Sequence, residues 1–234
     1  MLYEIANESG GYSTAWQYHM IRFIKDYEAN KPKQHPVGMT VQYPGGSNEV
    51  LFRSPANWIS PNRKGGYRGN PPAADGRKVI LSDTDHLWGV GCRSREWVWK
   101  SFCRGLNPIY MDSYINQEHL TVITRQQFDP SFEPVRCAMG HTSTFASRMN
   151  LAAMAPRNNL ASTRYCLANP PKEYLVYLPS GGMVVVDLSA ATGKLAVEWF
   201  NPSTGKASAA GRVAARARRK FTAPFAGDAV LYLR

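Results

Sequence analysis

Three segments of the sequence end an apolar, strand-like run in acidic side chains. Asn7-Glu8 follows Tyr3-Glu4-Ile5-Ala6, Asp83-Thr84-Asp85-His86 follows Lys78-Val79-Ile80-Leu81-Ser82, and Asp112 follows Pro108-Ile109-Tyr110-Met111. In sheets of parallel strands, reactive side chains gather at the carboxyl ends. Two carboxyl groups facing each other there can act as proton donor and as nucleophile or base in breaking a glycosidic bond. Glu8 and Asp85 are the candidate pair, Asp85 because it lies nearer its strand end. Asp83 shares a face with Asp85 through strand alternation and is the alternative carboxylate or a tuning partner. The same acids also fit plainer roles: a surface Glu, and two Asp side chains capping a turn through the backbone. Trp16, Trp58 and Trp88, with Tyr43, are candidates to stack on sugar C–H faces, although tryptophans at helical spacing also fit a core. His86 stands beside Trp88 with the same two possibilities.

Other chemistries lack their signatures. No Gly-x-Gly-x-x-Gly follows a strand, and neither Gly-x-x-x-x-Gly-Lys-Ser/Thr nor Gly-x-Ser-x-Gly occurs, so nucleotide cofactors and a serine-hydrolase elbow have no support. There is no His-x-x-x-His and no Cys-x-x-Cys, and a metal site is not expected. The four cysteines, Cys92, Cys103, Cys137 and Cys166, read as reduced, partly buried thiols.

The elements that must position these groups can be read in order. Leu2–Glu8 alternates like a strand, Gly10-Gly11 makes a turn, and Ser13 is a candidate N-cap for a helix running to about Ala29. In that helix Trp16, Met20, Phe23, Ile24 and Tyr27 build one apolar stripe. Lys31-Pro32 ends the helix, and His35–Val41 reads as the second strand of a βαβ crossover. A loop-rich stretch follows, broken by Val50-Leu51-Phe52 and Trp58-Ile59, with a Gly/Pro/Asn-dense segment over 60–76. Lys78–Asp83 is a buried strand, Glu96–Arg104 a short helix stopped by Gly105, Pro108–Asp112 a strand and Thr144–Ala155 a helix. From Ala161 the texture changes to short strands over 164–168, 173–178, 183–188, 195–200, 220–223 and 229–233, separated by Gly/Pro/Ser turns. The fold class is therefore α/β plus all-β, with an antiparallel β-sandwich over 159–234 and an α/β domain over 1–158.

The chain of 234 residues has a formal net charge of +11. Residues 143–234 carry 12 basic and 4 acidic side chains, and half of those cations, Lys206, Arg212, Arg216, Arg218, Arg219 and Lys220, lie in one segment without an acid. With no aromatic interleaved, that segment reads as a solvated loop between strands, and nucleic acid is not an expected partner. The hydrophobic content of 44% excludes global disorder. Apolar runs fall far short of the ~20 residues of a spanning helix, so no membrane is expected, and Met1 is not followed by a signal-peptide pattern.

The Tyr3-Glu4-Ile5-Ala6-Asn7-Glu8 strand end, the Trp16-Gln17-x-His19-Met20-Ile21 helix, Lys78 to Trp88 and the tail Gly193-x-Leu195-x-Val197-x-Trp199-Phe200-Asn201-Pro202-x-Thr204-Gly205 together resemble the apiosidase-like, clan-A type glycoside hydrolases. Those are TIM-barrel proteins with a C-terminal sandwich named as a collagen-binding domain of a collagenase. The resemblance implies that Glu8 ends the fourth barrel strand as general acid/base and that Asn7 holds a sugar hydroxyl. His35–Val41 would be the fifth strand, the segment around Val50–Trp58 the sixth, Lys78–Asp85 the seventh and Pro108–Asp112 the eighth. It implies a polysaccharide or oligosaccharide substrate, no cofactor, and secreted or periplasmic full-length relatives. The family's usual seventh-strand Glu is replaced by Asp83 or Asp85, which leaves nucleophile and stereochemical outcome open. Five strands cannot close an eight-stranded barrel, so the resemblance also implies the C-terminal part of such an enzyme, inactive as it stands or self-associating through an exposed barrel edge.

Overall fold

The computed structural model describes residues 1–89, 92, 94–112 and 130–234. The chain divides into two compact units, one of Met1–Val90 with Leu106–Met111, the other of Gly91–Gly105 with Asp112–Arg234.

The first unit is built on a five-stranded parallel sheet in sequential order. Its strands are β1 (Tyr3–Glu4), β2 (Val37–Thr40), β3 (Trp58–Ser60), β4 (Val79–Asp83) and β5 (Asn107–Ile109). Three helices connect them, α1 (Thr14–Glu28), α2 (Asn48–Arg53) and α3 (Thr84–Trp88). The register pairs Glu4 with Gly38, Thr40 with Ser60, and Asp83 with Ile109, so the carboxyl ends of neighbouring strands align. Val37, Met39, Ile59 and Ile80 are buried along these strands, as expected where helices cover a parallel sheet.

Several local expectations are corrected here. The first strand is two residues long, and Asn7-Glu8 lies beyond it in irregular backbone rather than at its end. As an outer strand β1 pairs with β2 alone, and its ladder stops at Glu4, whose Oε1 accepts from Thr40 Oγ1 at 2.8 Å. Ser13 closes a short 3₁₀ turn and makes no side-chain cap; its Oγ donates to the Gly10 carbonyl at 2.7 Å. The apolar stripe of α1 is not its buried face. The helix buries Gln17, Ile21 and Glu28, while Trp16, Phe23 and Tyr27 are 50%, 56% and 63% exposed. At 100° per residue that stripe lies about a quarter-turn round the helix from the buried positions. Both polar residues keep a hydrogen bond there: Gln17 Nε2 donates to Ser13 Oγ at 2.9 Å, with Oε1 unpaired among the described residues, and Glu28 accepts from the His35 backbone at 2.7 Å. The segment around Val50–Trp58 is not one strand. Ser47 caps α2 by accepting from Val50 N, Glu49 pairs with Arg53 one turn on, and only Trp58 enters β3.

The second unit contains α4 (Arg95–Cys103), α5 (Glu133–Arg148) and the strands β6 (Ala155–Pro156), β7 (Cys166–Asn169), β8 (Glu173–Leu178), β9 (Met183–Asp187), β10 (Lys194–Asn201), β11 (Lys206–Ala214), β12 (Arg218–Thr222) and β13 (Ala229–Leu233). Six of them form an antiparallel sheet in the order β11-β10-β13-β8-β7-β6, and β12 pairs with β9 in a second sheet. Alternation divides the larger sheet's side chains. Tyr174, Val176, Leu178, Val197, Trp199 and Leu231 pack with Val184, Val186 and Phe221 of the smaller sheet in one core. The opposite parity faces the helices, where Trp99 lies 6.1 Å from Tyr177, 5.8 Å from Phe200 and 5.7 Å from Phe145, and Phe145 meets Tyr232 at 5.7 Å. A sheet covered on both faces explains why β13 is buried at every position instead of alternating. The two helices thus pack with the antiparallel sheet, in the unit that ends the chain.

Two more expectations change. The helix read at Thr144–Ala155 is α5, which starts at Glu133 with Pro134 in its first turn and ends at Arg148. Its small and hydroxylated residues disguised it, yet Thr142, Thr144 and Ser147 return hydrogen bonds to carbonyls four residues back. The basic 206–220 segment is not a loop but β11, a turn and β12. It reads like a loop because eight of the nine β11 residues are exposed, on both faces of the strand. The four cysteines are free thiols, Cys137 exposed and the other three buried. Burial pushes Cys166 up to about 12, and Cys103 is raised for the same reason. Among the described residues no helix is long and apolar enough to cross a membrane.

Candidate active site

The carboxyl ends of β1 to β4 and the loops that follow them surround a cavity of about 460 Å³. It is lined by Glu8, Val41, Gln42, Tyr43, Gly45, Gly46, Asn62, Asp85 and His86. That size falls within the range of ligand pockets, and convergent polar groups around it are what a binding site needs.

Each acid reaches the cavity by a different local device. Strand β4 passes into α3 without a loop because Asp83 caps the helix, its Oδ1 accepting from Asp85 N at 2.9 Å. This turns Asp85 into the first helical turn and the cavity wall, while Asp83 is occupied as the cap. The buried Thr84 between them accepts the Met111 N–H at 2.8 Å and ties the turn to the residue two beyond β5. His86 Nδ1 lies 2.8 Å from Ser60 Oγ, and Ser60, at the end of β3, is 2% exposed. One buried hydroxyl therefore fixes the imidazole's orientation.

Glu8 has φ +50, a left-handed conformation uncommon for a residue with a Cβ and one that costs on the order of 1–3 kcal/mol. The loop that carries it is fastened to the next one. Gly11 N donates to Pro44 O at 3.1 Å, and the buried Gln42 donates through Nε2 to Thr14 Oγ1 at 2.9 Å and Ser13 Oγ at 3.3 Å. Gly46 closes the second loop with a 2.9 Å bond to the Gln42 carbonyl, and a Cβ there would lie 2.4 Å from that oxygen. Only glycine fits this turn.

Of the residues singled out in the sequence, Glu8, Asp85, His86 and Tyr43 line one cavity; the others do not line it. Asn7 is exposed, and Trp16 is half exposed on α1. Trp58 is buried at the start of β3, where Nε1 donates to Pro36 O at 3.3 Å and the ring covers Gly38. Trp88 has the Arg68 guanidinium 5.3 Å from its ring. Asp112, the third strand-end acid, is held by Arg136 through bonds of 2.6 and 2.8 Å. Gln42, Asn62 and Ser60 were missed; each ends or follows a strand, but a neutral side chain in that place carries no signal that sets it apart. A second cavity of about 400 Å³ is lined by Phe52, Tyr67, Pro72 and Ile80, with Asp75 engaged by Arg77, and is the more apolar of the two. Burial pushes the Tyr67 hydroxyl there up to about 12. Among the described residues no three His, Cys, Asp or Glu side chains cluster as metal donors.

Residues 153–234 match the family model described as "Putative collagen-binding domain of a collagenase". No curated protein sequence matches the chain. Among solved structures it is similar to one described as "Glycoside hydrolase", with TM-score 0.64, 14% identity, and coverage of 99% of this chain and 64% of that one. It is similar also to a glycoside hydrolase family 5 protein from Bacteroides vulgatus ATCC 8482, with TM-score 0.65, 14% identity, and coverage of 99% and 62%. The chain spans less than two thirds of the length of either structure. At this identity the likeness concerns the fold: a mixed α/β chain with a parallel sheet and antiparallel sheets, whose structural neighbours are glycoside hydrolases.

Proposed function

We propose that this chain is carbohydrate-active and of the glycoside hydrolase type, cleaving O-glycosidic bonds of a polysaccharide or oligosaccharide with Glu8 as general acid/base and Asp85 as nucleophile or base. The observation that carries this reading is the shared cavity: two carboxylates, an oriented imidazole and two amides converge where parallel strands end. Glu8 would protonate the departing glycosidic oxygen while Asp85 attacks the anomeric carbon or activates a water. A separation of about 5–5.5 Å between the carboxyls during reaction means retention, and about 6.5–9.5 Å means inversion. Asn62 and His86 supply hydrogen bonds to hydroxyls, the buried Gln42 holds the two loops together behind them, and the exposed Tyr43 ring offers a stacking face. Two-carboxylate chemistry requires no cofactor.

In this reading β1 to β5 correspond to strands four to eight of an apiosidase-like (β/α)₈ barrel, residues 1–158 form the catalytic part and 159–234 the accessory part. Sequential parallel order and the outward apolar face of α1 support it, since barrel helices pack against neighbours on both flanks. The test is release of reducing sugar from a panel of plant polysaccharides by the chain, alone and fused behind three βα units of a structural neighbour. Turnover that Glu8→Gln and Asp85→Asn both abolish supports the reading, and turnover indifferent to them refutes it. A second reading, favoured by the family match over 153–234, is a non-catalytic module that attaches to carbohydrate or collagen through its antiparallel sheets.

A further inference from the structure

We propose that the two-stranded sheet of the second unit is a binding surface for an anionic, uronate-bearing polysaccharide, centred on Arg218 and Lys220. This rests on reading the antiparallel part as an attachment module for a carbohydrate-active chain, and it names the ligand class and the place. From Trp199 to Gly227 the sequence has no acidic residue, and β11, β12 and the turn between them carry six cations. Arg218 and Lys220 are two apart on β12, so they share its outward face, opposite the core-facing Phe221. The register places them against Asp187 and Val185 of β9, with Met183, 51% exposed, opposite Thr222. Cations thus flank an apolar strip, the arrangement that can hold a carboxylated sugar by its charge and by its C–H face.

Beside that strip lies a cavity of about 230 Å³ where Asn159, Ser162, Asp187 and Arg218 meet Leu160 and Val185. Asp187 is already engaged: it accepts from Ser189 N at 2.9 Å and from Arg218 Nε at 3.2 Å, bonds that hold its carboxyl below the usual range. Its charge is therefore largely offset before a ligand arrives. Arg212 and Arg219 spend one donor each on the carbonyls of Lys194 and Ala214, at 2.9 and 3.0 Å, and keep the rest free. The side chains of Lys206, Arg216 and Lys220 are exposed. Arg216 sits at φ +66, pinned by its N–H to Leu188 O at 3.0 Å, which holds the turn between the two strands in a conformation unusual for a residue with a Cβ. The absence of an aromatic side chain between Ala207 and Lys220 removes the platform that single-stranded nucleic acid requires, so carboxylate polymers are favoured over nucleotides.

The test is affinity electrophoresis and calorimetry of the full chain with polygalacturonate, a neutral galactan of similar length, and single-stranded DNA. Binding to polygalacturonate that exceeds binding to galactan and DNA by tenfold or more, and that weakens between 50 and 300 mM salt, is expected. Each cation near an anionic surface is worth about fivefold in affinity, so Arg218→Gln with Lys220→Gln should weaken it roughly 25-fold, while Lys172→Gln, in the turn between β7 and β8 of the other sheet, leaves it unchanged. These side chains are exposed, and an unaltered melting temperature certifies the fold of the double variant. Equal affinity for galactan, tighter binding to DNA, or a double variant that binds like the parent would each overturn the proposal. The readout is binding alone, so turnover indifferent to Glu8→Gln and Asp85→Asn with uronate binding kept refutes the catalytic reading and leaves this one standing.

Discussion

Replacing Asp228 by Ala should loosen α4 from the antiparallel sheet. Asp228 is 7% exposed and accepts three bonds: from Arg95 Nη2 at 2.7 Å, Arg95 Nε at 3.2 Å and the Tyr177 hydroxyl at 3.0 Å. Tyr177 is fully buried, and both its burial and the neighbouring Asp228 charge raise its hydroxyl's pKa, so it stays a donor at every physiological pH. Without Asp228 that hydroxyl is orphaned, at a cost of about 1–3 kcal/mol. The Arg95 side chain is 31% exposed and can turn toward water, so losing its partner costs only about 1 kcal/mol. The sum is about 3 kcal/mol, which for a chain of this length lowers the melting temperature by roughly 6–12 °C. Asp228→Asn keeps an oxygen for Tyr177 but turns an amide toward Arg95, and should cost about half as much. Circular dichroism at 222 nm, with Trp fluorescence following the Trp99 environment, reads both variants. If Asp228→Ala melts within 2 °C of the parent, or if Asn is as harmful as Ala, the triad is not what holds α4 in place.

Two further outcomes follow from local geometry. His141 packs its ring 4.9 Å from Phe200 with Nδ1 buried and unbonded among the described residues, and burial lowers its pKa. A depressed folded value means stability present above the ordinary histidine value and lost as pH falls, so melting temperature should drop as pH is lowered below about 6.5. Melting curves of His141→Gln between pH 5 and 7.5 should lose that slope; an unchanged slope refutes the assignment. A Cβ on Gly38 would lie 1.8 Å from the Trp58 ring, so Gly38→Ala should cost about 3 kcal/mol, and adding Trp58→Leu should recover part of it in a double-mutant cycle. Additive effects would show that the two residues do not meet.

The sequence displayed the parallel part through its punctuation: Gly10-Gly11, Lys31-Pro32 and Gly105 mark where elements stop, and β2, β4, α1 and α4 lie within a few residues of those marks. It misled where burial departs from pattern. Apolar Trp16, Phe23 and Tyr27 remain exposed while polar Gln17 and Glu28 are buried, each hydrogen-bonded there, to Ser13 and to His35. Strand β11, exposed on both faces, has no hydrophobic period to detect, and β13, buried on both, has no alternation. At the site, Glu8 and Asp85 stood out because acids after a strand-like run are distinctive, although Glu8 lies beyond β1 and Asp85 in the first turn of α3. Gln42, Asn62 and Ser60 were not, since neutral side chains acquire meaning only from the loops that bring them together. Trp58 looked like a sugar platform and packs on Gly38 at the start of its strand.

The central claim is that Glu8 and Asp85 act on one substrate in one cavity. Reducing-sugar release from the best polysaccharide of the panel, measured for the parent, Glu8→Gln and Asp85→Asn with melting temperatures matched, tests it most directly. General acid/base and nucleophilic roles predict that each substitution lowers kcat by about 10²-fold or more with KM little changed. Variants that turn over within twofold of the parent would contradict the account.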